Sequence, residues 1–111
     1  MERVVYRIVA DVQPTADDFR SNRDKGFPPR GAEIDDPALW SGWSVFDRRD
    51  EAESRARRYG LGAYLAVMRI PDAWTSDPSR FRKTLGPHHY TVWGTFTEVR
   101  SFIQAVIEIP K

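Results

Sequence analysis

Arg7 stands inside VVYRIVADV, residues 4 to 12, a run dominated by β-branched residues. A guanidinium is costly to bury without a partner, so this placement implies one of two things: an edge position with the stem laid along a sheet, or an anion anchor facing a cleft. Ser44, in Trp43-Ser44-Val45-Phe46, carries a hydroxyl able to orient a ribose or an amide, or simply to meet solvent. Tyr59 offers a ring that stacks on a flat ligand or completes a core. In His88-His89-Tyr90-Thr91, alternation puts His89 and Thr91 on one strand face, available as a proton shuttle or a phosphate donor. The adjacent histidines point apart, so no metal site is expected from them.

These residues need elements to carry them. Residues 3 to 10 form a first strand, with Val5, Arg7 and Val9 on one face and Val4, Tyr6 and Ile8 on the other. Thr15 followed by Asp18 has the spacing of a capping box and opens a short helix over 15 to 20. Residues 21 to 41 hold no sustained period and read as a long loop, the kind kept for a lid or a binding surface. A short strand at 43 to 46 leads into the best helix, 48 to 59, with Asp47 as N-cap, Ala52, Ala56 and Tyr59 on one face, and Gly60 as the left-handed stop. Glu51 with Arg55 and Glu53 with Arg57 are i,i+4 pairs on its solvated face. AYLAVMRI, 63 to 70, is apolar on both faces, as in a central strand ended by Pro71. A second irregular stretch, 71 to 88, carries Arg80, Phe81, Arg82 and Lys83, read as solvated loop charges rather than a nucleic-acid patch. A strand at 90 to 93, one or two helical turns over 95 to 101 and a closing strand at 102 to 109 complete the chain. The expectation is one α+β domain over 1–111, a mixed or antiparallel sheet of about five strands with two or three short helices.

A Tyr-Arg pair on the first strand, then a serine-aromatic strand leading into a helix with spaced alanines and a terminal tyrosine, then an apolar strand, resembles the ADP-ribosyltransferase-like superfamily over about residues 3 to 70. The resemblance implies that fold, NAD as the bound substrate, Arg7 and Ser44 as its anchors and Tyr59 as the nicotinamide-stacking residue. It also implies an acidic residue acting on the ribose. Glu98 precedes the final strand and is the preferred match, whereas Glu108 lies near that strand's end. On this reading the chain transfers ADP-ribose to a macromolecule or hydrolyses NAD. His89-Tyr90-Thr91 also matches the His-x-Thr element of two-histidine phosphoesterases, but those use two copies and this chain has one. The competing expectation is a non-catalytic module that meets a protein partner through Trp40 and Trp43, which flank the loop's Gly42.

With 17 Lys+Arg against 16 Asp+Glu, the net charge of +1 gives no overall pull toward nucleic acid or anionic lipid. The absence of cysteine rules out a disulfide frame and a thiolate zinc site. No apolar run approaches membrane-spanning length, so a cytoplasmic protein is the expectation; a small nucleotide ligand as its partner is what the resemblance implies.

Overall fold

In the computed structural model, which describes residues Met1–Lys111, the first strand β1 spans Arg3–Val9 and pairs along its whole length with β3, Tyr64–Ile70. Its other neighbour is β2, Trp43–Phe46, and here the register holds a single pair, Tyr6 with Phe46. Two further strands extend from β2: β5, His89–Val92, and the three-residue edge strand β4, Phe81–Lys83. β6, Ile103–Glu108, closes the opposite edge against β3, with a register shift at Val67 and Met68. The order is β4-β5-β2-β1-β3-β6 and every neighbouring pair is antiparallel. The sheet therefore has six strands rather than about five.

The additional strand comes from the stretch read as a loop. A three-residue strand is too short to show a period, and β4 exists because β5 pairs with it. The same cause hides most of the helices. Five are present instead of two or three: α1 (Ala32–Asp35), α2 (Pro37–Trp40), α3 (Arg49–Tyr59), α4 (Asp72–Thr75) and α5 (Phe96–Val99). Four of them have four residues, barely one turn, and α1 and α2 lie inside the expected long loop. The capping spacing at Thr15 marks a 3₁₀ turn, Ala16–Phe19, in which the Asp18 carboxylate accepts from the Thr15 amide at 2.8 Å.

The two sheet faces are covered differently. One carries the larger core, including Val5, Val9, Trp43, Val45, Met68 and Val92, sealed by Phe19 and Val99. On the other, α3 lays Ala52 and Ala56 onto Ile8, Phe46 and Leu65. Gly60 ends α3 with φ of 62°, a conformation that costs glycine nothing. Asp47 does not cap this helix. Arg48 takes the N-cap position without a side-chain bond, and Asp47 instead meets His88 Nδ1 at 3.0 Å. No helix is long and apolar enough to cross a membrane.

Candidate functional site

Beyond Tyr6 and Phe46, β1 and β2 have no further registered pair, and Arg7 occupies the opening. By alternation its side chain shares a face with Val5 and Val9, among the larger core. Its Nε donates to the Asp18 carbonyl at 2.8 Å and its Nη1 to the Ser44 carbonyl at 2.9 Å, while the guanidinium lies 5.4 Å from the Trp43 ring centroid. Both hydrogen-bond acceptors are neutral backbone oxygens, so Arg7 keeps its charge without a salt-bridge partner. Burial lowers its pKa to about 10, and the nearby Asp18 carboxylate opposes that shift.

Two adjoining cavities open at this point, sharing Arg7, Lys25, Ser44 and Leu85. The larger, of about 330 Å³, adds Arg55 from α3, His89 from β5 and the apolar Ile8, Phe46 and Leu61. The smaller, of about 150 Å³, adds Arg20, Asn22, Glu33, Gly42 and Thr91 among others. Ligand cavities commonly measure about 300 to 1,000 Å³, so the larger lies at the low end of that range and the smaller below it. The larger cavity has three cations in its lining and no carboxylate. Lys25 feels the crowding: desolvation lowers its pKa first, and Arg7 and Arg20 lower it further.

The polar wall comes from strand pairing. Ser44 stands opposite Thr91 and Phe46 opposite His89, so alternation puts the hydroxyl pair and the imidazole on the face that looks into the cleft. Ser44 Oγ makes no bond within the protein, whereas Thr91 Oγ1 meets Thr84 Oγ1 at 2.7 Å. His89, 7% exposed, uses Nδ1 toward the Thr84 hydroxyl at 2.9 Å and the Thr84 carbonyl at 3.0 Å. Gly42 permits the fit, because a Cβ there would lie 2.4 Å from Thr91 Cγ2. Leu85, at the tip of the β4–β5 turn with φ of 55°, presents an exposed apolar side chain to both cavities.

Arg7, Ser44, His89 and Thr91 thus meet in one cleft, and two other expected residues do not. Tyr59 is 57% exposed and lines neither cavity. It is the last residue of α3, turned toward Arg58, and Arg55 one turn earlier is the helix residue that reaches the cleft. Glu98 also lies outside. Its Oε1 accepts from the Thr95 amide at 2.9 Å as the return half of a capping box, and its Oε2 pairs with Arg80 at 3.0 Å. Those partners hold its carboxyl below the usual range, the Thr95 amide first. Glu108 is exposed on edge strand β6. The one carboxylate lining either cavity is Glu33, fixed by Asn22 Nδ2 at 2.8 Å and the Arg30 amide at 3.0 Å. Sequence reasoning missed Lys25, Glu33, Arg55 and Leu85, and nothing in their local sequence distinguishes them from solvated residues.

The tryptophans are committed elsewhere. Trp43 is 4% exposed and donates to the Gly94 carbonyl, and Trp40 is half-buried with its indole N–H on the Phe27 carbonyl. The basic stretch after residue 79 is largely neutralised, since Arg80 pairs with Glu98, Arg82 pairs with Asp36, and Phe81 is buried. Compared with protein-family models, with curated proteins and with solved structures, the chain matches none.

Proposed function

We propose that this chain is a nucleotide-binding domain of the ADP-ribosyltransferase-like type, taking NAD or its ADP-ribose portion in the cleft beside Arg7. The observation that carries the reading is the lining of the larger cavity, where Arg7, Lys25 and Arg55 face one space with Ser44 and no carboxylate. Cations that share a lining with no carboxylate repel one another, Asp17 and Asp18 nearby offset this only in part, and a phosphate dianion or a diphosphate relieves the rest while accepting charge-assisted bonds. Arg7 provides a positioned charge because its Nε and Nη1 are tied to carbonyls and its rotamer is set before any ligand arrives. Ser44 Oγ, without a protein partner, supplies the neutral polar group that a ribose hydroxyl or a carboxamide needs. Ile8, Phe46, Leu61 and Leu85 give the apolar wall for a base or a nicotinamide ring, the part earlier assigned to Tyr59.

Cleavage of NAD would need an anion beside the ribose as positive charge develops there. Glu33 is the carboxylate available to the cleft, so transfer or hydrolysis, if this domain performs it, rests on Glu33 rather than Glu98. Isothermal titration with NAD, ADP-ribose and inorganic pyrophosphate tests the binding, and chromatographic detection of free nicotinamide tests the chemistry. Binding of all three that weakens with added salt is the expected result. No heat at millimolar ligand would end the nucleotide reading.

A further inference from the structure

The ligand is narrowed by one ring nitrogen. His89 Nδ1 lies 3.0 Å from the Thr84 carbonyl, and a carbonyl oxygen only accepts. Nδ1 therefore carries the proton. In the neutral imidazole that leaves Nε2 as a bare lone pair. No buried side-chain nitrogen or oxygen in the protein lacks a partner. Nε2 has no protein partner, so it is the part of this otherwise buried ring that reaches open space, and His89 lines both the cationic cleft of about 330 Å³ and a much smaller cavity of about 40 Å³ beside Glu51 and His88. The Thr84 hydroxyl, bonded onward to Thr91, holds the ring in this orientation.

The neutral form is favoured by the surroundings. The groups facing the ring are Arg7 from β1, Arg55 and Glu51 from α3, Lys25 from the loop and the adjacent His88. Cations outnumber the one carboxylate, and burial adds to their effect in pulling the imidazole below its ordinary range. Every other charged group of the larger cavity is a donor. A diphosphate esterified at both ends offers acceptors only, and without a hydroxyl beside it such a group would leave this lone pair facing a lone pair.

We propose that His89 Nε2 is the cleft's acceptor for a ligand hydroxyl, so that the site selects a phosphate ester with a sugar hydroxyl next to its phosphates, a nucleoside diphosphate sugar rather than a diphosphate diester that carries no hydroxyl. The assignment rests on the nucleotide reading of the cleft. It makes His89 a binding residue for a neutral group, while Arg7, Lys25 and Arg55 hold charge.

Two variants separate acceptor from scaffold. In His89→Asn the amide nitrogen replaces Nδ1 on the Thr84 carbonyl and the Nε2 acceptor is gone, whereas in His89→Gln an amide oxygen reaches toward the Nε2 position. Titration should show His89→Asn weakening ADP-ribose about tenfold, the loss of about one hydrogen bond, with dimethyl diphosphate, esterified at both phosphates and so without a hydroxyl, changed less than about twofold and His89→Gln recovering part of the loss. Long-range proton–nitrogen NMR of the wild type should show the Nδ1–H tautomer and an Nε2 shift on adding ADP-ribose but not dimethyl diphosphate. An Nε2–H tautomer, or equal effects of His89→Asn on both ligands, overturns the assignment and leaves the cleft reading standing. If the wild type binds neither ligand, the nucleotide reading falls and this assignment falls with it.

Discussion

The guanidinium of Arg7 donates to the carbonyl oxygen of Ser44 at 2.9 Å, bridging β1 and β2 where their registered pairing ends. The bond replaces part of the ladder that the two strands lack. It also holds a cation at the point where the sheet opens toward the cleft, so the expected ligand anchor is at once a brace between β1, β2 and the turn that carries Asp18.

Arg7→Met should therefore cost stability as well as binding. Two charge-assisted bonds are lost and two carbonyls lose their partner, partly offset by removing a buried charge, for a net of about 2 kcal/mol. In a domain of this size that lowers Tm by roughly 10 °C. An anchor serving only its ligand would leave Tm unchanged, and a calorimetric scan of the variant decides between the two.

Lys25→Ala and Arg55→Ala should behave in the opposite way. Both residues are exposed and neither forms an ion pair, so removing them relieves repulsion and leaves Tm unchanged or slightly higher. Pyrophosphate affinity should fall severalfold in each and its salt dependence should flatten, as expected when a cation is taken from the site. Wild-type affinity in both variants would remove these two residues from the site.

How far the sequence shows this arrangement depends on the length of each signal. β1, β3 and α3 are legible because seven or more residues keep one character, a β-branched run, an unbroken apolar run and a helical period in turn, and the αL stop at Gly60 is written in its residue type. β4 and the one-turn helices are not legible, because their shape comes from partners distant in the chain, as when Arg82 reaches Asp36 or the Trp40 indole reaches Phe27. Arg7 is conspicuous because a charge among β-branched residues breaks a local rule. Arg55 gave the reverse impression, since its spacing suggests a pair with Glu51. In the fold Arg49 and Arg57 share Glu53 instead, and Arg55 is left without an ion-pair partner. Glu33 sits in the stretch read as structureless, so its place in the lining of the smaller cavity depends on the tertiary path of that segment.

Glu98→Gln and Glu33→Gln divide the acid assignment. The first breaks the return bond to Thr95 and the ion pair with Arg80, so it should lower Tm modestly while leaving nucleotide binding and any nicotinamide release at the wild-type level. The second changes the carboxylate that lines the cleft and should abolish whatever nicotinamide release the wild type shows. Loss of release in Glu98→Gln with its fold intact would return the role to Glu98.

The last prediction concerns pH and follows from the position of His89. Burial is the main cause holding this imidazole below its usual range, the Thr84 carbonyl opposes it, and Arg55 and Arg7 add to it. In the unfolded chain the ring takes a proton near about pH 6.5, while in the folded state it does so only at lower pH. Between those two values the unfolded state holds more protons, so stability rises with pH. The contribution is fully present above the unfolded value and is lost as pH falls through the folded one. The Tm advantage of wild type over His89→Asn should thus be widest near pH 7.5 and shrink toward pH 5, with a slope of at most about 1.4 kcal/mol per pH unit inside the window. A parallel series with His88→Asn separates the effect from the neighbouring pair with Asp47. A gap between wild type and His89→Asn that stays constant from pH 7.5 to 5 would mean that folding leaves the ring's proton affinity unchanged, and would remove the electrostatic basis for a neutral acceptor in the cleft.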